Sequence, residues 1–127
     1  MIAFVTLGSS DLDRSGRFYD AVLDPLGITR IVTTDEFIVW GNDNGPSLSL
    51  NIPYDGNPAT AGNGTMVALE VSTTDIVDAA HAAALSNGGT DEGAPGPRGR
   101  TGYYGYFRDP DGNKFTVTCP SDPGEMI

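Results

Sequence analysis

The sequence predicts an α+β fold made of two similar halves, each with the order strand, helix and three strands. Short stretches alternate apolar and polar residues, which is typical of strands with one buried face. Two longer stretches repeat apolar residues at helical spacing, and each follows the first strand of its half. The order of elements then repeats after about 60 of the 127 residues.

The first half, residues 1–56, begins with a predicted strand at residues 2–8. The N-cap residue types Ser-Ser-Asp follow, and helical spacing runs over residues 12–23. Pro25 and Gly27 end this predicted helix, since proline cannot continue a helix and glycine commonly follows its last turn. Three more strands are predicted at residues 28–33, 36–41 and 47–53.

A polar linker at residues 57–64 separates the halves, and the pattern restarts in the second half, residues 65–119. Thr73 and Thr74 are cap candidates for its helix, and residues 120–127 are predicted to be a loose tail. The second half is predicted to contain strands at 65–72, 90–93, 102–108 and 114–119, a helix at 76–85, a Gly/Pro loop at 94–101 and a turn at 109–113. We predict that the whole chain is a single domain.

The repeat is visible mainly in the order of elements. Val5 matches Val67 and Leu7 matches Leu69 at an offset of 62 residues, and residues 48–50 align in pattern with 115–117 at an offset of 67. These matches are too few to predict the repeat by themselves.

Composition excludes several classes of function. The net charge is −10 and the chain has one lysine, so it repels nucleic acid and is expected to attract cationic ligands; alternatively, the charge only maintains solubility. No apolar run is long enough to span a membrane, and the first residues do not resemble a signal peptide. Cys119 is the single cysteine, so no intrachain disulfide can form. Together these features predict a cytoplasmic protein.

Alternation divides the first and last strands of each half into two faces. The apolar face is expected to pack on the helices and contains Val5, Leu7, Leu48, Leu50, Val67, Leu69, Val71, Phe115, Val117 and Cys119. The opposite face is mostly polar, and we predict that it binds the ligand together with two aromatic residues of the middle strand. The predicted ligand-binding residues are Phe4, Thr6, Ser47, Ser49, Asn51, Met66, Ala68, Glu70, Tyr104, Tyr106, Thr116 and Thr118. Gly8 and Lys114 lie on the same face but are not among them. This face either lines a ligand cleft or lies in solvent.

Residues 4–27, 63–89 and 103–119 form three segments that resemble the vicinal oxygen chelate superfamily, which includes glyoxalases, bleomycin-resistance proteins and extradiol dioxygenases. FVTLGSSDLDRSGRFYDAVLDPLG resembles its first strand and helix, and NGTMVALEVSTTDIVDAAHAAALSNGG resembles its fifth strand and second helix. YYGYFRDPDGNKFTVTC resembles its closing hairpin. The resemblance covers more than half of residues 1–119, and it implies a cupped mixed sheet around one site, helices on the outer face, and a homodimer.

The resemblance also places four metal ligands, usually His, Glu or Gln. They fall here on Phe4, Ser49, Met66 and Thr116. Divalent ions prefer imidazole or carboxylate ligands, whereas these positions offer a phenyl ring, a thioether and two neutral hydroxyls. We therefore predict no metal and no other cofactor, and glyoxalase or dioxygenase chemistry becomes doubtful.

Few other residues suggest chemistry. Glu70 is a weak catalytic candidate, because it is the one carboxylate on the predicted cleft face; alternatively, it is a solvated rim residue. The single histidine, His81, is expected to be either structural or solvated. Tyr104 and Tyr106 are expected either to stack on a flat or cationic ligand or to pack in the core. Arg98 and Arg100, in the predicted Gly/Pro loop, would meet an anionic ligand if that loop acts as a lid, although the overall charge argues against a strongly anionic one.

Three functions are consistent with these patterns. The favoured hypothesis is a metal-free protein that binds and sequesters a cationic or aromatic small molecule. The second is an enzyme with a non-standard site, either a glyoxalase-like lyase or isomerase or a dioxygenase. The third is an accessory subunit, which predicts a filled cleft and a large exposed apolar patch.

Overall fold

The structure is a computed structural model, and it describes residues 1–43 and 45–120. The predicted tail lies outside these residues except for Pro120, which ends the last strand. Both predicted halves are present in the predicted order. The strands are β1 Phe4–Gly8, β2 Thr29–Thr33, β3 Phe37–Gly41, β4 Ser47–Asn51, β5 Val67–Glu70, β6 Thr90–Arg98, β7 Gly102–Arg108 and β8 Lys114–Pro120, and the helices are α1 Leu12–Leu23 and α2 Thr74–Ser86.

Each half forms its own four-stranded mixed sheet. The strand order is β1-β4-β3-β2 in the first sheet and β5-β8-β7-β6 in the second, so β1 and β5 are equivalent edge strands. Each pairs in parallel with the last strand of its half. Thr6 lies beside Ser49, and Ala68 lies beside Thr116, so the repeat predicted from the order of elements is confirmed.

The helix ends follow local capping chemistry. Asp11 caps α1, because its carboxylate accepts a hydrogen bond from the Arg14 backbone N–H. After α1 a short 3-10 turn, Asp24–Leu26, ends at Gly27 with φ of 73°, a left-handed conformation that favours glycine. Thr73 caps α2, whereas Thr74, the other predicted cap, is already helical.

One segment differs from its prediction. The prediction of a Gly/Pro loop at 94–101 is wrong for residues 94–98, because β6 continues to Arg98. Strand β6 pairs only with β7, and an edge strand tolerates prolines that lack a backbone N–H. Two register shifts, between Asp91 and Gly96, accommodate the irregular sequence.

The apolar faces and the helices enclose one core, as the alternation predicted. Tyr19 of α1 lies at its centre, with ring centroids 5.3 Å from Trp40 of β3 and 5.7 Å from Phe115 of β8. Phe18 packs in the same way on Phe107 of the second sheet, at 5.9 Å. The first helix therefore contacts the apolar faces of both sheets.

A buried carboxylate also joins the two halves. Asp109, in the turn between β7 and β8, accepts a hydrogen bond from the Tyr19 hydroxyl and another from Asn113 Nδ2 at 2.8 Å. Asn113 Nδ2 also donates to the Gly8 carbonyl at 3.1 Å. Burial raises the pKa of Asp109, although the hydrogen bonds from Tyr19 and Asn113 act in the opposite direction.

Asp111 of the same turn binds the beginning of the first helix. Its carboxylate accepts hydrogen bonds from the Ser10 backbone N–H at 3.0 Å and the Ser15 hydroxyl at 2.6 Å, and it pairs with Arg14 at 2.7 Å. Burial acts to raise the pKa of Asp111, but the hydrogen bonds and the Arg14 charge outweigh it, so the pKa is lowered. Within the described residues, neither helix has the length and apolar character needed to cross a membrane.

Candidate ligand-binding surface

The polar face of the second sheet consists of two rows that run across its strands. One row is Ala68, Thr116, Tyr106 and Gly93, and the other is Glu70, Thr118, Tyr104 and Gly96. Paired residues on neighbouring strands project from the same face, so the two predicted tyrosines lie beside the two predicted threonines. Thr116 is buried and donates a hydrogen bond to the Gly105 carbonyl at 3.0 Å.

The two tyrosines form a stacked pair. Their ring centroids are 6.0 Å apart and the ring planes differ by 11°. Tyr103 lies on the opposite face, where its hydroxyl donates to Asp78 of α2 at 2.6 Å. The pair therefore presents aromatic surface away from the core.

Two cations lie against Tyr106. The Arg98 guanidinium carbon and the Lys114 Nζ are each 5.9 Å from the centroid of its ring. Sequence reasoning placed Lys114 on this face but did not include it among the ligand-binding residues, and it placed Arg98 in a loop. Lys114 could have been included from the sequence, because alternation puts it on the same face as Thr116. The position of Arg98 could not be predicted, because it depends on how far β6 extends.

The polar face of the first sheet is smaller. Thr6, Ser49 and Val39 form one row across β1, β4 and β3, and Asn51 lies beside Gly8. The Ser49 hydroxyl donates to Asn51 Oδ1 at 2.5 Å. Phe37 lies beside Asn51 on β3, so this face also includes an aromatic side chain.

The four positions to which the resemblance assigns metal ligands offer no donors that suit a divalent metal ion. Phe4 and Met66 are 63% and 44% exposed and provide no hard donor. The hydroxyls of Ser49 and Thr116 already donate hydrogen bonds to protein oxygens. Across residues 1–43 and 45–120, no three His, Cys, Asp or Glu side chains come together in a group that could hold a metal ion.

Six of the predicted cleft residues are divided between two grooves. A groove of about 870 Å³ lies between β5 and the helix side of the first sheet and includes Ser47, Met66, Ala68 and Glu70. A second groove of about 750 Å³ lies beside Tyr54 and includes Thr6 and Asn51. The other six, Phe4, Ser49, Tyr104, Tyr106, Thr116 and Thr118, line neither groove.

The remaining candidates have simpler environments. Glu70 is exposed at the edge strand β5. His81 is buried in α2 on the apolar side, with Nε2 3.1 Å from Asp91 Oδ1, which is consistent with the structural alternative expected of it. Cys119 is partly buried against the core.

This fold of two βαβββ modules is that of the glyoxalase-type proteins. The model of the glyoxalase/bleomycin resistance protein/dioxygenase superfamily matches residues 1–117, and the chain belongs to this superfamily. No curated protein matches the chain.

Solved structures agree with this assignment. A glyoxalase/bleomycin resistance protein from Albidiferax ferrireducens is 36% identical, with 95% of this chain and 99% of that chain covered and a TM-score of 0.89. Two others share the fold at lower identity. An antibiotic-binding protein from a Streptomyces species is 20% identical, with 95% and 96% covered and a TM-score of 0.67. A lactoylglutathione lyase from Agrobacterium tumefaciens is 19% identical, with 94% and 92% covered and a TM-score of 0.65.

Proposed function

We propose that this protein binds a small aromatic molecule and does so without a metal ion. The observation that supports this most strongly is the chemistry of the four ligand positions. None offers an imidazole or a carboxylate, and the hydroxyls of Ser49 and Thr116 are engaged with protein oxygens. Members of this superfamily include proteins that bind small molecules, such as the antibiotic-binding protein above.

The stacked tyrosines are the proposed contact surface for the ligand. Flat ligands gain both apolar burial and stacking energy on such rings. The sequence also allowed a cationic ligand, but Arg98 and Lys114 already lie against Tyr106 and would repel one. We therefore favour an aromatic ligand over a cationic one.

We also propose that the protein is a homodimer in which the second copy completes the cleft. Among the strands that the structure describes, β1 and β5 each pair on one side only. Strand β1 and its flanking residues expose the apolar side chains of Ile2 and Phe4. Met66, just before β5, is similarly exposed. Because the predicted cleft residues are divided between the two halves, edge-to-edge association of two copies would bring polar faces together. The third hypothesis, an accessory subunit, would use the same apolar edges for a different partner.

The first experiment is elemental analysis of untagged protein purified without chelator. We expect far less than one equivalent of transition metal, unchanged by incubation with zinc, nickel, manganese or iron(II). Aromatic compounds should then raise the midpoint of thermal unfolding, because a ligand that binds only the folded state stabilises it. Near-stoichiometric metal that survives dialysis would overturn the metal-free proposal and favour the glyoxalase-like enzyme.

The cellular location that accompanies this proposal is the cytoplasm. The lone thiol of Cys119 is partly buried and has no second cysteine to pair with. Fractionation of cells that express the full chain would test it, and recovery in the membrane or external fraction would contradict it.

A further inference from the structure

Two cationic side chains lie at the surface around Tyr106, and the proposed function does not itself require them. Arg98 and Lys114 both approach one tyrosine ring, at 5.9 Å each. Neither side chain forms an ion pair within residues 1–43 and 45–120. The chain has 17 acidic and only 7 basic residues, so two cations that contact one ring and form no ion pair are unusual for its composition.

The neighbouring strand leaves room for the guanidinium. Gly93 and Gly96 of β6 are paired with Tyr106 and Tyr104, so the β6 residues directly beside the two tyrosines have no side chains. A Cβ at Gly93 would lie 3.2 Å from Tyr106 Cδ2, and one at Gly96 would lie 3.0 Å from Arg98 Nη1. Arg98 is held across this strand by hydrogen bonds from its guanidinium to the carbonyls of Ala94 at 2.6 Å and Pro97 at 3.2 Å. These two hydrogen bonds fix the position of the guanidinium charge.

The surroundings of Tyr104, at the other end of the tyrosine pair, contain a hydroxyl and a carboxylate instead of cations. Thr118 lies beside Tyr104, and its Oγ1 is buried with no hydrogen-bond partner among the described residues. An unsatisfied buried hydroxyl is unfavourable, so a polar group brought next to it is stabilising. Glu70 lies beside Thr118 on β5 and disfavours an anion at this end.

The geometry also decides how a ring would bind. Ring faces in contact are separated by roughly 3.5–4 Å, so insertion between two tyrosines needs a gap of roughly 7 Å. The centroids of Tyr104 and Tyr106 are only 6.0 Å apart. A flat ligand therefore lies over the pair. Lys114 and Thr118 are four residues apart on β8, which corresponds to roughly 13 Å along the strand.

We propose that the ligand is an anionic aromatic compound, such as an aryl carboxylate. Its ring rests on Tyr104 and Tyr106, its anionic group lies between Arg98 and Lys114, and a hydrogen-bonding group at its far end lies toward Thr118. This inference rests on the proposed function, since it names the ligand class for the same surface. The overall negative charge slows the approach of such a ligand, but the two local cations determine its orientation.

The test uses three probes of equal shape: a naphthoate, its neutral naphthamide and its cationic naphthylmethylamine, each with a phenolic hydroxyl at the far end. Affinity for the full-length protein is measured by calorimetry at two salt concentrations. The naphthoate should bind about tenfold or more tightly than the amine, and its affinity should fall with added salt. Lys114→Gln and Arg98→Gln should each weaken naphthoate binding severalfold and leave naphthamide binding nearly unchanged.

Arg100→Gln is the matched control, because Arg100 is exposed two residues beyond Arg98 and does not lie against Tyr106. It should leave all three affinities unchanged. Tighter binding of the amine, or naphthoate binding that is indifferent to both Lys114→Gln and Arg98→Gln, would overturn the anionic ligand class and leave small-molecule binding intact. Binding of none of the three probes would overturn the inference together with the aromatic ligand proposed above.

Discussion

The hydroxyl of Tyr19, in the first half of the chain, donates a hydrogen bond to the buried carboxylate of Asp109, in the second half. The two residues are 90 positions apart. Burial raises the pKa of Tyr19 well above its usual value, and the adjacent Asp109 charge raises it further. Tyr19 therefore stays protonated and acts as a permanent donor at the boundary between the modules.

Loss of this hydroxyl should destabilise the fold. Tyr19→Phe leaves a buried carboxylate with one donor fewer, and we expect the free energy of unfolding to fall by about 1–3 kcal/mol. Tyr103→Phe is the matched control, since it removes a tyrosine–aspartate bond to Asp78 near the surface. Urea denaturation of both variants measures the difference. Equal losses would show that burial of Asp109 does not matter.

The pH dependence of stability should reflect Asp111. Because its folded-state pKa is lowered below the ordinary 3.8, Asp111 contributes stability that is present above pH 3.8 and is lost as the pH falls through the folded value. Asp111→Asn should therefore flatten the fall in unfolding free energy on acidification below about pH 4. Asp109 has the opposite effect on the pH dependence of stability. Because its pKa is raised in the folded state, the folded state binds a proton more readily than the unfolded state does.

Denaturation curves at several pH values check this expectation. Asp35→Asn, at an exposed position between β2 and β3, is the control and should keep the wild-type slope. A slope in Asp111→Asn as steep as that of the wild type would contradict the assignment.

The shared core predicts a single unfolding transition, which would support the proposal that residues 1–127 form one domain. Trp40 is the single tryptophan, is fully buried and belongs to the first half, so its fluorescence reports on that half. Far-ultraviolet circular dichroism reports on both halves. The two signals should change at the same urea concentration, as in two-state unfolding. A fluorescence transition that precedes the dichroism transition would indicate two independently folding units.

The proposed dimer predicts a specific effect at the edge of the first sheet. Phe4→Glu places a charge on β1 and should convert the dimer to monomer in sedimentation velocity experiments. Ile31→Glu is matched to it, because Ile31 is also an exposed apolar residue on an edge strand, 56% exposed against 63% for Phe4. Ile31→Glu should remain dimeric. A wild-type protein that sediments as a monomer would overturn the dimer proposal.

The element order and the sheet faces could be predicted because they depend on local spacing. Alternation placed Val117 toward the core and Thr116 on the polar face, and helical spacing with a capping residue located α1 and α2. The extent of β6 could not be predicted in this way. Its glycines and prolines indicate a loop locally, and only its pairing with β7 makes residues 94–98 a strand.

The sequence by itself determined the fold class, the two faces of each sheet and the absence of suitable donors at Phe4, Ser49, Met66 and Thr116, because each depends on residue type and spacing along the chain. The tertiary structure decided which residues far apart in the sequence contact each other. It brought Asp109 to Tyr19, and it placed Arg98 and Lys114 on the ring of Tyr106. These meetings depend on strand register and on the packing of a helix across two sheets. Such contacts join residues far apart in the chain, so no local pattern of apolar and polar residues encodes them.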